Sequence, residues 1–182
     1  MNLAELSVDT PMGELMEVLP GGRRALFAAH HLGGCSSCAF SDTETLAELC
    51  ARSENLPAEE VLAHLLTSHV HDETMLMSAV EAKRRLDSGE KIRLVDIRTR
   101  EEHEAVKIAG SEFFTQETQQ EFFALDPETL ILIYDHRGKS VLDQVAWFRG
   151  HGMKETYGLR GGIDAWSLEV DKGVQRYRLE MD

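Results

Sequence analysis

The chain has 182 residues, 42% hydrophobic and 28% charged, with three cysteines and a formal net charge of −13. That length suits one large domain or two small ones, and the apolar content supports a buried core rather than a disordered chain. The acidic balance argues against nucleic-acid binding, three cysteines cannot close a disulfide framework, and no apolar run nears the ~20 residues that span a bilayer.

In chain order, Met1-Asn2-Leu3-Ala4-Glu5 lacks the basic end and apolar centre of a secretory signal, so a cytoplasmic protein is expected. Thr10-Pro11 reads as an N-cap followed by proline at the first helical position, with Leu15, Val18 and Leu19 on one face. Pro20-Gly21-Gly22 ends that helix, and a second carries Leu26, Phe27 and His30 up to Gly33-Gly34. After Cys35-Ser36-Ser37-Cys38, Ser41 with Glu44 reads as a capping box ahead of Leu46, Leu49 and Cys50. Pro57 opens a last helix with Val61, Leu62, Leu65 and Leu66 in a stripe. The predicted first domain, residues 1–70, is therefore about four short helices. Residues 71–76 are expected to be a linker, because His69-Val70-His71-Asp72-Glu73-Thr74 breaks the apolar period.

Residues 77–182 alternate between strand and helix signals. Ser78 with Glu81 caps a helix through Leu86, Ile92–Ile97 reads as a strand, and Gln116–Ala124 as a helix. Leu130-Ile131-Leu132-Ile133-Tyr134 is a continuous apolar run, as in a strand buried on both faces. It runs into Asp135-His136-Arg137-Gly138-Lys139-Ser140 and a helix with Val141, Val145, Ala146 and Phe148. Residues 155–159 read as a strand, and Gly161-Gly162 opens a short helix to Trp166. The fold class is α/β: a small helical domain, then a mostly parallel sheet flanked by helices. Ligands of such sheets sit beyond the strands' carboxyl ends, where loop 135–140 falls.

Composition divides the chain similarly. Residues 1–75 carry 3 Lys/Arg against 12 Asp/Glu, a net of −9, and the remainder carries 16 against 20. All three cysteines and five of the eight histidines lie in that first part.

Leu94-Val95-Asp96-Ile97-Arg98 with Glu101-Glu102-His103, then Ile108-Ala109-Gly110, resembles the first signature of rhodanese-homology domains. Tyr134–Ser140 is similar to their active-site loop, and Leu159-Arg160-Gly161-Gly162-Ile163-Asp164-Ala165-Trp166 to their closing motif. The resemblance covers about residues 76–170. In that family the residue opening the loop is a cysteine that carries a persulfide; here the position is Asp135. The usual Gly-His before the Ile is also replaced, by Val106-Lys107. The resemblance thus implies the fold, and a binding loop of Asp135, His136, Arg137, Gly138, Lys139 and Ser140 without its sulfur nucleophile. Ordinary thiosulfate sulfurtransferase activity is not expected. Asp135 either fills the loop's anion cradle with its own carboxylate or caps the loop, and His136 is expected to be solvated.

Cys35 and Cys38 remain as candidate redox or persulfide thiols, their spacing allowing a disulfide. Val8–Leu15, His31–Cys38 and Glu44–Glu48 resemble the small CxxC domain associated with hybrid-cluster proteins, described as a redox-disulfide module. They are also similar to the N-terminal domain of di-iron cluster-repair proteins. Cys50 reads as a core residue. His64, His69 and His71 could be read as metal ligands, but the gap from His64 to His69 does not place both on one helical face, and the linker histidines 69 and 71 are expected to be solvated. Phe113, Phe114, Phe122 and Phe123 are expected to pack helices. Three functions stay open: a redox or sulfur-related accessory protein, a non-catalytic interaction module, or a metal or iron–sulfur site shared across a homodimer. No cofactor or metal ligand is assigned. A protein partner is expected, with a small anion at loop 135–140 as a further candidate.

Overall fold

The computed structural model describes residues 2–33 and 39–178. The chain divides into two units, Met1–Thr74 and Met75–Asp182.

In the first unit helical periodicity produces α1 (Met12–Val18), α2 (Gly22–His30), α3 (Leu46–Arg52) and α4 (Ala58–Glu73), after a 3-10 turn at Leu3–Glu5. Met12, Leu15, Leu26, Leu46, Leu49 and Leu65 form a shared core, and Cys50 lies within it. Burial pushes the Cys50 thiol up, which suits a packing residue.

Three local expectations are corrected. Pro11 is itself the N-cap of α1, while the Thr10 hydroxyl accepts the Ser7 N–H at 2.9 Å in the preceding turn. The capping box of α3 belongs to Thr45 and Glu48, four residues beyond Ser41 and Glu44. Glu44 instead receives the Arg52 guanidinium, with one N–H bond of 2.9 Å. Finally, residues 71–73 of the expected 71–76 linker complete α4 and a strand starts at Leu76, while the division between the units, Thr74/Met75, falls inside that stretch. Asp72 does not break the helix, because its buried carboxylate is ion-paired with Arg24 of α2.

The second unit is built on five parallel strands, β1 (Leu76–Met77), β2 (Arg93–Asp96), β3 (Glu112–Phe113), β4 (Ile131–Tyr134) and β5 (Thr156–Leu159), in the order β1-β5-β4-β2-β3. Its helices are α5 (Ala79–Asp87), α6 (Arg100–Ala105), α7 (Gln116–Phe123), α8 (Val141–Gly150) and α9 (Gly162–Glu169). Alternation along the central strands sorts side chains onto two faces. Leu94, Leu132 and Tyr134 pack with Ala82, Ile163 and Trp166 from α5 and α9. Val95, Ile131 and Ile133 pack with Phe122, Val145 and Phe148 from α7 and α8. Each residue of β4 is buried, as its unbroken apolar run requires. Phe114, Phe122 and Phe123 serve core packing, with Phe122–Phe148 ring centroids 5.9 Å apart. No helix among the described residues is long and apolar enough to cross a membrane.

Candidate functional site

Parallel strands bring their carboxyl ends to one edge of the sheet, and the candidate site lies there. Asp96 ends β2 and is in register with Tyr134 at the end of β4. Asp135 then opens the loop leading into α8. Its carboxylate accepts the backbone N–H of Gly138 through Oδ1, and that of Ser140 at 2.7 Å through Oδ2. Ser140 is the N-cap residue of α8, so the carboxylate also sits at the positive end of that helix. Asp135 is only 8% exposed. The two uses foreseen for this residue therefore coincide: the carboxylate that caps the loop occupies amides that could otherwise hold an anion.

The loop is pinned by the Gly161-Gly162 turn. The Ile163 N–H donates to the Asp135 carbonyl at 2.9 Å, and the Asp164 N–H to the His136 carbonyl at 3.1 Å. Gly138 and Gly162 both have positive φ, +79° and +61°, and each backbone lies against the other segment. The loop motif and the Leu159–Trp166 motif are thus one structural object.

Beside them is a buried polar cluster. The Asp96 carboxylate accepts from Arg98 Nε at 2.9 Å, Arg98 Nη2 at 2.6 Å, His103 Nδ1 at 2.8 Å and the Tyr134 hydroxyl at 2.9 Å. Burial works against the charge on Asp96, but the Arg98 and His103 hydrogen bonds outweigh it and hold the carboxyl below its ordinary range. The Lys107 ammonium lies 3.4 Å from His103 Nε2, on the side of the ring away from Asp96. Arg98 also donates to the Tyr177 hydroxyl at 2.8 Å, and that hydroxyl donates to Glu102 at 2.5 Å. Burial, helped by the Glu102 carboxylate, pushes Tyr177 up to about 12, so it remains a neutral donor at physiological pH.

An open cleft of about 500 Å³ lies over this edge, with Ile97, Arg98, Thr99 and Glu102 facing loop residues 135–137 and 139–140. His136 is not solvated as expected. Its ring stacks on Tyr177 with centroids 4.3 Å apart, and its Nε2 lies 3.2 Å from the Tyr177 carbonyl. Nothing local in the sequence marks Tyr177 as a site residue, because its contact reaches 79 positions back to Arg98.

Cys35 and Cys38 lie outside the described residues. Among the described histidines, His30 and His64 meet edge to face at 5.7 Å. The buried His30 Nε2 and His69 Nδ1 have no hydrogen-bond partner among the described residues, which corrects the expectation that His69 is simply solvated. Burial, aided by His64, lowers the His30 pKa. No group of three His, Cys, Asp or Glu suited to a metal occurs among the described residues.

Several solved structures resemble part of this chain. A rhodanese-like domain protein from Staphylococcus aureus is 19% identical, covering 57% of this chain and 98% of its own, with a TM-score of 0.44. The human single-domain sulfurtransferase TSTD1 is 22% identical over 52% of this chain and 96% of its own, with a TM-score of 0.45. A rhodanese-related protein from Thermoplasma volcanium is 18% identical over 52% and 91%, with a TM-score of 0.44. No curated protein matches the chain. Residues 78–169, half the sequence, match the Rhodanese-like domain family, and the chain belongs to that family.

Proposed function

We propose that this protein is a redox or sulfur-related accessory protein whose reactive groups are Cys35 and Cys38, and whose rhodanese-like domain binds without transferring sulfur. Membership of the family suggests sulfur-related work. The observation that carries the finer reading is the Asp135 carboxylate bonded to the Gly138 and Ser140 amides, at the loop position where relatives are expected to hold a persulfide. A carboxylate oxygen cannot make and break S–S bonds, and residues 76–182 contain no cysteine. Cys50 is buried within the first unit's core. That leaves Cys35-x-x-Cys38, whose two thiols give up two protons and two electrons when a partner's disulfide is reduced, or accept one sulfur as a persulfide. A reducing cytoplasm keeps such thiols available.

Native mass spectrometry of the anaerobically purified full chain tests this. The expected result is a metal-free protein in which Cys35 and Cys38 lose two hydrogens on mild oxidation, or gain one sulfur from a persulfide donor. Thiols at 35 and 38 that resist both treatments and also resist iodoacetamide contradict the proposal. A stoichiometric bound metal does so too.

A further inference from the structure

With Asp135 already bonded to the loop amides, an incoming anion must be held by side chains, and the mouth of the loop is rich in cations. Arg137 borders both the 500 Å³ cleft and a second cavity of about 290 Å³, whose other walls are Arg176, Tyr177 and Arg178. The second cavity is made by segment 174–178, which lies beyond the residues matched to the family.

That segment is firmly held. Val174 is buried and its carbonyl accepts the Ser167 hydroxyl. Arg176 makes a two-pronged ion pair with Asp164, at 2.7 and 3.0 Å. Tyr177 stacks on His136 and joins Arg98 to Glu102. Arg178, the residue after Tyr177, lines the same cavity as Arg137.

Three carboxylates beside this mouth are already engaged: Asp135 by the loop amides, Asp164 by Arg176 and Glu102 by Tyr177. Arg137, Lys139 and Arg178 are exposed and make no ion pair among the described residues. Three such cations together stand out on a chain of net charge −13.

We propose that Arg137, Lys139 and Arg178 form a docking site for an acidic segment of a protein partner. Guanidinium groups pair carboxylates through two parallel hydrogen bonds, and spaced cations suit spaced carboxylates along an extended chain. Both cavities are open, whereas small-molecule sites enclose most of their ligand. The proposal rests on Asp135 being the permanent occupant of the loop, since vacant amides would hold an anion themselves.

Fluorescence anisotropy with a labelled hexaglutamate peptide and the full chain tests it. The peptide is expected to bind at low salt and to be released as salt screens the charges. Arg137→Ala and Arg178→Ala should each weaken binding about tenfold. Lys154→Ala, which precedes β5 at the opposite edge of the sheet, should leave it unchanged. Absence of binding, equal weakening by Lys154→Ala, or pyrophosphate competing as well as the peptide at equal concentration overturns the docking site. Sulfur transfer by a cysteine-free chain would strike instead at the reading of Asp135, so the two failures are distinguishable.

Discussion

Asp96→Ala is expected to destabilise the second unit by about 3–5 kcal/mol, the cost of stripping one partner from a buried ion pair. The Arg98 side chain is 1% exposed and that of Asp96 is inaccessible to solvent. Without the carboxylate, the guanidinium loses two of its hydrogen bonds while remaining buried, and His103 and Tyr134 lose their acceptor. For a unit of this size the loss corresponds to a fall in Tm on the order of 15–25 °C. Both tryptophans, Trp147 and Trp166, belong to the second unit, so their emission during thermal or urea unfolding reports on it directly. The same carboxylate sets a pH dependence. Its folded pKa is depressed, so its contribution is present above the unfolded carboxyl value of ~3.9 and is lost as pH falls through the lower folded value. Wild-type stability should therefore fall more steeply than that of Asp96→Ala below about pH 4.

Gly162→Ala is the second large effect, and it links the fold to the site. An added Cβ would lie 2.5 Å from the Asp135 carbonyl oxygen and 2.6 Å from the His136 carbonyl carbon, both rigid backbone. The residue also has φ of +61°, where an L side chain costs about 1–2 kcal/mol. With the overlap added, a loss of about 3 kcal/mol or more is expected, seen as a lower urea midpoint in tryptophan emission. Relief of the overlap requires the loop to move, opening the Ile163-to-Asp135 and Asp164-to-His136 hydrogen bonds. Gly150→Ala is the control. Its Cβ meets nothing within 4 Å, and alanine at that helical position should be neutral or slightly stabilising.

These residues also mark what a sequence can reveal. The unbroken run of Leu130–Tyr134 encodes its burial in its own side chains, so β4 is legible and the Asp135 loop follows from it. The strands Leu76–Met77 and Glu112–Phe113 have two residues each, too few to display a period. Asp72 misleads for a different reason: it looks like a solvent-facing breaker until α2 supplies Arg24, 48 positions earlier. Distance along the chain hides the site in the same way. Asp96, Arg98 and His103 lie close in sequence and can be quoted as a motif, but their bonds to Tyr134 and Tyr177 exist only once the sheet and segment 174–178 are assembled. Asp135 was identifiable as the loop's opening residue, whereas its bonds to Gly138 and Ser140 depend on a backbone path that composition does not encode.

The most direct test of Asp135 as a resident, non-transferring carboxylate is thiosulfate:cyanide turnover by the full chain carrying Cys35→Ser, Cys38→Ser and Cys50→Ser. If the loop binds without transferring sulfur, this variant forms no thiocyanate above the uncatalysed background while its tryptophan unfolding transition is retained. Sustained turnover by the cysteine-free protein would show that the domain moves sulfur by a route without a thiol, and would contradict the assignment of Asp135.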